Sequence, residues 1–131
     1  MNQATLHDRR AEEIVSATCW PDVALDTGRT PTRQGDVVLR RRGDAPTDGP
    51  YAPTPACGFQ VAAGAHGEHR LFCPAMYTAE DGGLVCLQEA RLVHTDAPEG
   101  RHGPKRLAPG HWRISRVREL SLEDVIVQVT D

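Results

Sequence analysis

Apolar residues recur along this chain in two rhythms. Between residues 5 and 18, Leu6, Ile14 and Val15 fall on one helical face, opposite Asp8, Arg9, Glu12 and Glu13. That is the 3.6-residue period of a short amphipathic helix. Cys19-Trp20-Pro21 ends it, because the residue before a proline is biased away from helical backbone. After a polar connector over 22–34, Gln34-Gly35-Asp36 leads into the apolar run Val37-Val38-Leu39-Arg40, and from there strand-like segments dominate. Phe59 to Ala63 and Glu68 to Phe72 flank a turn at Gly64 to Gly67, which predicts a hairpin. A second hairpin is predicted around Glu80-Asp81-Gly82-Gly83, between Met76-Tyr77 and Leu84-Val85-Cys86-Leu87. Gln88 to Val93 continues as a further strand. Pro109-Gly110 is a turn signal, followed by Trp112 and Ile114 alternating with Arg113 and Ser115. In the tail, Ser121 with Asp124 resembles a helix cap, while Val125, Val127 and Val129 alternate as in a strand. We read one helical turn followed by a strand.

Six or seven short strands predict a mainly β chain: a small antiparallel barrel or folded sheet, with the short N-terminal helix covering an open edge. The length of 131 residues corresponds to one domain. It divides into an N-terminal helix and connector over 1–33 and a β core over 34–131. Within the core, residues 43–56 hold six of the prolines and glycines (Gly43, Pro46, Gly49, Pro50, Pro53, Pro55), a density that breaks ladder hydrogen bonds. This stretch is expected to be a mobile loop.

Composition narrows the function classes. The formal net charge is −3, which is no global electrostatic signature for nucleic acid or an anionic membrane. Of the 15 basic residues only Lys105 is a lysine, so the cationic chemistry is guanidinium chemistry. No apolar run approaches the roughly 20 residues of a membrane helix, and the first ten residues lack an apolar signal core. A cytoplasmic location is expected, with Cys19, Cys57, Cys73 and Cys86 as free, buried thiols.

The candidate chemistry lies in three groups. His66 and His69 sit three apart at the end of one hairpin, His94 ends a strand, and His111 follows the loop that begins at Thr95. Converging imidazoles would hold zinc or iron, and a site left partly open would activate a water. Among the cysteines, Cys73 or Cys86 beside a histidine would be a candidate nucleophile, and Cys57, Cys73 and Cys86 with His66 a candidate structural zinc set. Neither has the paired spacing of a metal motif. The arginines cluster as Arg40-Arg41-Arg42 and as Arg113, Arg116 and Arg118, and a strand bearing the second set could follow a phosphate backbone.

The order of Gly35-Asp36-Val37-Val38-Leu39, Gly67-Glu68-His69, Leu92-Val93-His94, Leu107-Ala108-Pro109-Gly110-His111-Trp112-Arg113 and Arg118-Glu119 resembles a group of small, functionally unassigned bacterial proteins over residues 34 to 120. The chain departs from that pattern at the central element, where His66 precedes the glycine, and at Leu120, where the group has an aromatic. The resemblance implies a β fold and a bacterial or phage origin, and supplies no mechanism. No catalytic set stands out, so the leading expectation is a non-enzymatic accessory domain that binds a protein partner through the proline-rich loop. The alternatives are a histidine-ligated metal-binding protein or metal-dependent enzyme, and a weak nucleic-acid binder using the arginine-bearing strand.

Overall fold

The computed structural model describes residues 5–64, 67–96 and 103–117. Helix α1, Leu6–Ala17, begins with a capping box in which Thr5 and Asp8 satisfy each other's backbone amides. It stops at Thr18, whose backbone amide and hydroxyl both donate to the Ile14 carbonyl, at 3.0 and 2.7 Å. A single 3-10 turn, Trp20–Asp22, follows. The helical face seen in the sequence is rotated in the structure. Leu6 is 55% exposed, whereas Ala11 is fully buried and Ile14 and Val15 pack beside it. Asp8 turns inward to meet Arg70 at 2.9 Å.

Among the described residues ten strands follow: β1 Leu25–Asp26, β2 Thr32–Gln34, β3 Val37–Gly43, β4 Phe59–Gly64, β5 Gly67–Phe72, β6 Met76–Thr78, β7 Leu84–Cys86, β8 Ala90–His94, β9 Lys105–Leu107 and β10 Gly110–Arg116. They form two five-stranded sheets, in the orders β1-β9-β8-β5-β4 and β2-β3-β10-β7-β6. We call these sheets A and B. All pairings are antiparallel except β1 with β9. The fold is therefore the folded-sheet alternative; neither sheet closes into a barrel among the described residues. β1 and β2 fall in the stretch taken from the sequence as connector. The predicted tail elements lie outside the described residues.

The chain alternates between sheets: β2–β3 in B, β4–β5 in A, β6–β7 in B, β8–β9 in A, and back to B in β10. Pro109-Gly110 consequently does not close a hairpin. Ala108 and Pro109 carry the chain from sheet A to sheet B. The Asp81-Gly82 turn does close β6–β7, with Gly82 at φ 84°, a backbone region that favours glycine. The sheets share one core: Val37, Leu39, Met76, Leu84, Cys86 and Trp112 from sheet B meet Leu71, Ala90, Leu92 and Leu107 from sheet A. Trp112 is fully buried and its indole N–H donates to the Ala108 carbonyl at 2.9 Å. The outer face of sheet A carries Phe72 and Val93 against α1 and Trp20. None of the described helices is long and apolar enough to cross a membrane.

Candidate functional site

Strand alternation points His69 and Leu71 of β5, and Leu92 and His94 of β8, into the space between the sheets. His69 and His94 are register partners, and their rings meet edge to face with centroids 4.6 Å apart. They sit at one end of the sandwich, 3% and 5% exposed. There β2 delivers Gln34, wholly buried, and the β2–β3 turn delivers Asp36.

Gln34 decides the protonation of this cluster. Its Nε2 donates to two backbone carbonyls, Leu92 at 3.2 Å and Gly103 at 2.9 Å. The opposite amide orientation would place oxygen against both carbonyls, so Oε1 must face His69. It accepts from His69 Nδ1 at 2.8 Å, which assigns a proton to that nitrogen. His69 Nε2 lies 3.3 Å from Asp36 Oδ1, and a doubly protonated ring satisfies both contacts. Burial alone would raise the Asp36 pKa, but the charge and hydrogen bond of His69, with Arg116 at 3.3 Å, outweigh it and hold the carboxyl below its ordinary value. His94 differs. Its Nδ1 accepts from the Asp96 amide at 3.3 Å, so that nitrogen carries the lone pair.

Of the four histidines singled out in the sequence, the structure brings together His69 and His94. His111 stands on the outer face of sheet B, opposite Val85, with Nε2 3.5 Å from Asp81 Oδ1. His66 lies outside the described residues. Ligation of a metal by His69 would require it to give up Gln34 or Asp36. Among the described residues, no three His, Cys, Asp or Glu side chains are placed to hold an ion. A further histidine that the sequence did not flag, His7 of α1, bonds Thr95 Oγ1 at 2.9 Å on the other face of sheet A. Beside it Arg70 joins Asp8 and Glu68, and Arg10 meets Asp96 at 2.7 Å.

The arginine set is split by the same alternation. Arg113 is exposed on the outer face of sheet B, while Arg116, three residues on, faces Asp36 at the histidine end. Arg118 lies outside the described residues. Register instead places Arg33 and Arg40 on the face of Arg113: Arg40 lies opposite Arg113 and Arg33 opposite Val38, while Arg42 falls at the bulge between the Trp112–Arg41 and His111–Gly43 pairs. Arg41 points away, bonding the Pro109 carbonyl at 3.1 Å and Asp44 at 2.7 Å.

A cleft of about 540 Å³ opens on the other side of the molecule. Val15 of α1, Pro53 to Ala56 of the proline-rich loop, Phe72-Cys73-Pro74 and Gln88, Glu89 and Arg91 line it. The loop is tied in place along this wall. Ala52 and Met76 exchange two backbone hydrogen bonds, at 3.0 and 3.1 Å. The Thr54 amide donates to the Cys73 carbonyl and the Cys73 amide to Thr54 Oγ1, each at 3.0 Å. Tyr51 packs on Tyr77, ring centroids 5.1 Å apart. The rim charges have partners within the chain. Arg106 holds Glu89 with two donors, at 2.7 and 3.1 Å, and Arg91 stacks 5.0 Å over Trp20. Only two of the four cysteines are buried, Cys73 and Cys86; Cys19 is exposed and Cys57 intermediate.

Residues 33–117 match a family described as a domain of unknown function, DUF8820. No curated protein and no solved structure matches the chain.

The buried amide and the carboxylate make separable predictions. Gln34→Ala leaves His69 Nδ1 and two carbonyls without their partner, and should cost on the order of 3 kcal/mol in urea denaturation. The depressed Asp36 pKa stabilises the fold above about pH 4, the unfolded-state value, and that contribution is lost as pH falls through the folded-state value. Asp36→Asn should therefore lower stability at neutral pH and flatten the loss between about pH 5 and 2. An unchanged acid limb in that variant would contradict the assignment.

Proposed function

The chain belongs to the DUF8820 family, and we propose that it is a non-enzymatic accessory domain that binds a segment of a partner protein. The observation that carries this reading is the cleft between α1 and the proline-rich loop. Its volume lies in the range of ligand-binding clefts. Its wall is held in place before any partner arrives, which lowers the entropy lost on binding. Three prolines, Pro53, Pro55 and Pro74, contribute apolar surface and no backbone donor. The Thr54 amide is already bonded to Cys73, so the site suits side-chain insertion better than strand addition. With Glu89 and Arg91 engaged inside the chain, the occupant that fits is an uncharged segment presenting an apolar side chain. Four unpaired thiols suit a reducing, cytoplasmic setting.

A second reading is supported by a different observation, the arginine face of sheet B. Arg40 on β3, beside Arg113 on β10 and Arg33 on β2, presents guanidinium groups from three neighbouring strands as a short grid. Such a grid suits the phosphates of a single-stranded nucleic acid.

Two experiments test these readings. Random peptides displayed on phage and selected on the folded domain should converge on an apolar anchor, and should bind the exposed-wall variant Pro55→Glu about tenfold or more weakly. Selection of no peptides, or of peptides that bind the variant equally, would contradict the cleft reading. For the second, fluorescence anisotropy with a single-stranded oligonucleotide should show affinity falling with salt at a log–log slope of about −2, as expected for three phosphate contacts. Arg33→Gln/Arg40→Gln/Arg113→Gln should abolish it and Arg116→Gln should not. Absence of binding at low salt, or equal binding by the triple variant, would rule the arginine face out.

A further inference from the structure

Cys73 and Cys86 lie where the chain changes sheets. β5 ends at Phe72, and Cys73-Pro74-Ala75 crosses from sheet A to β6 of sheet B. β7 ends at Cys86, and Leu87-Gln88-Glu89 crosses back to β8. The two crossings run against each other. The Leu87 amide donates to the Ala75 carbonyl at 2.9 Å, and Met76 is the register partner of Cys86. Cys73 Sγ lies 3.3 Å from the Ala75 carbonyl oxygen and 3.5 Å from that of Gln88, and the Cys86 side chain hydrogen-bonds to it. The thiols differ in access. Cys73 is on the wall of the cleft, whereas Cys86 lies behind it with no exposure.

We propose that Cys73 and Cys86 form a hydroperoxide-reactive dithiol, in which Cys73 is the attacking and Cys86 the resolving residue. The Cys73 sulfur attacks one peroxide oxygen. An S–O bond forms, the O–O bond breaks, and the leaving oxygen takes a proton to become water or an alcohol. Cys73 is then a sulfenic acid. The Cys86 sulfur attacks Cys73, the S–S bond forms, and the S–O bond breaks as water leaves with the Cys86 proton. The dithiol loses two electrons and the hydroperoxide gains them. The disulfide would link the two sheet crossings directly, and a small dithiol reductant would restore the thiols.

The electrostatics agree with these roles. The hydrogen bond from Cys86 brings Cys73 down to about 7 against the cost of burial. Cys86 is pushed up by the same hydrogen bond and by its deeper burial. Cys73 lines the cleft and Cys86 does not, so a hydroperoxide reaches Cys73 first. Oxidation requires only that a small hydroperoxide reach the cleft floor, whatever else the cleft binds.

The test uses the full chain, reduced and folded, with Cys19→Ser and Cys57→Ser to remove the other two thiols. Hydrogen peroxide should lower the intact mass by about 2 Da, digestion should yield a Cys73–Cys86 linked peptide, and dithiothreitol should reverse both. With Cys86→Ser added, dimedone should label Cys73. Without that substitution, iodoacetamide should label Cys73 of the folded chain about tenfold or more faster than Cys86, with a rate that rises through pH 7. A folded chain that survives excess peroxide without the linked peptide, or whose two cysteines alkylate at equal rates, would overturn the proposal.

Discussion

A fully buried glutamine joins the two sheets of this protein, and the arrangement of the histidine end follows from its amide. Gln34 belongs to the edge strand of sheet B, yet its amide hydrogens go to carbonyls of Leu92 and Gly103, on the side of sheet A. Its one remaining group is an acceptor, so His69 has to donate. That leaves His69 Nε2 toward Asp36, which in turn holds Arg116 at the end of β10. One amide orientation thereby sets the polarity of a chain of contacts across four strands and a turn. A buried polar network of this kind stabilises only while every member is satisfied. The same chain of contacts occupies the ring of His69.

Alternation between sheets determines where everything else lies. The β4–β5, β6–β7 and β8–β9 pairs are each followed by a short crossing to the other sheet, and two of these crossings, at Cys73 to Ala75 and at Leu87 to Glu89, run side by side. They supply one wall of the cleft and bring two thiols into contact. Helix α1 covers the outer face of sheet A and supplies another wall. The outer face of sheet B carries the arginines. The cleft, the arginine face and the histidine end thus occupy three different parts of one small fold.

Much of this was legible in the sequence where a side chain's burial matched its polarity. Trp112 and Ile114 against Arg113 and Ser115 reads as a half-buried strand, and it is one. Asp81-Gly82 closes the β6–β7 hairpin. β2 was invisible because its inward residues are Thr32 and Gln34, polar groups buried at a site of hydrogen bonding rather than apolar packing. Pro109-Gly110 reads as a change of direction, and it is one, but local turn chemistry does not say which sheet the next strand joins. The arginine face was hidden for a related reason. Arg33, Arg40 and Arg113 are far apart in sequence and become neighbours only through register. Leu6 shows the opposite error: it is apolar, but the inward face of α1 is set by Ala11 and Asp8.

The histidine end rests on the proton that Gln34 assigns to His69. Long-range ¹H–¹⁵N correlation spectra of the imidazoles at neutral pH measure it directly. His69 should show a protonated, hydrogen-bonded Nδ1, with Nε2 also protonated, and Asp36→Asn should remove only the Nε2 proton. A His69 ring whose Nδ1 is the unprotonated nitrogen would contradict it.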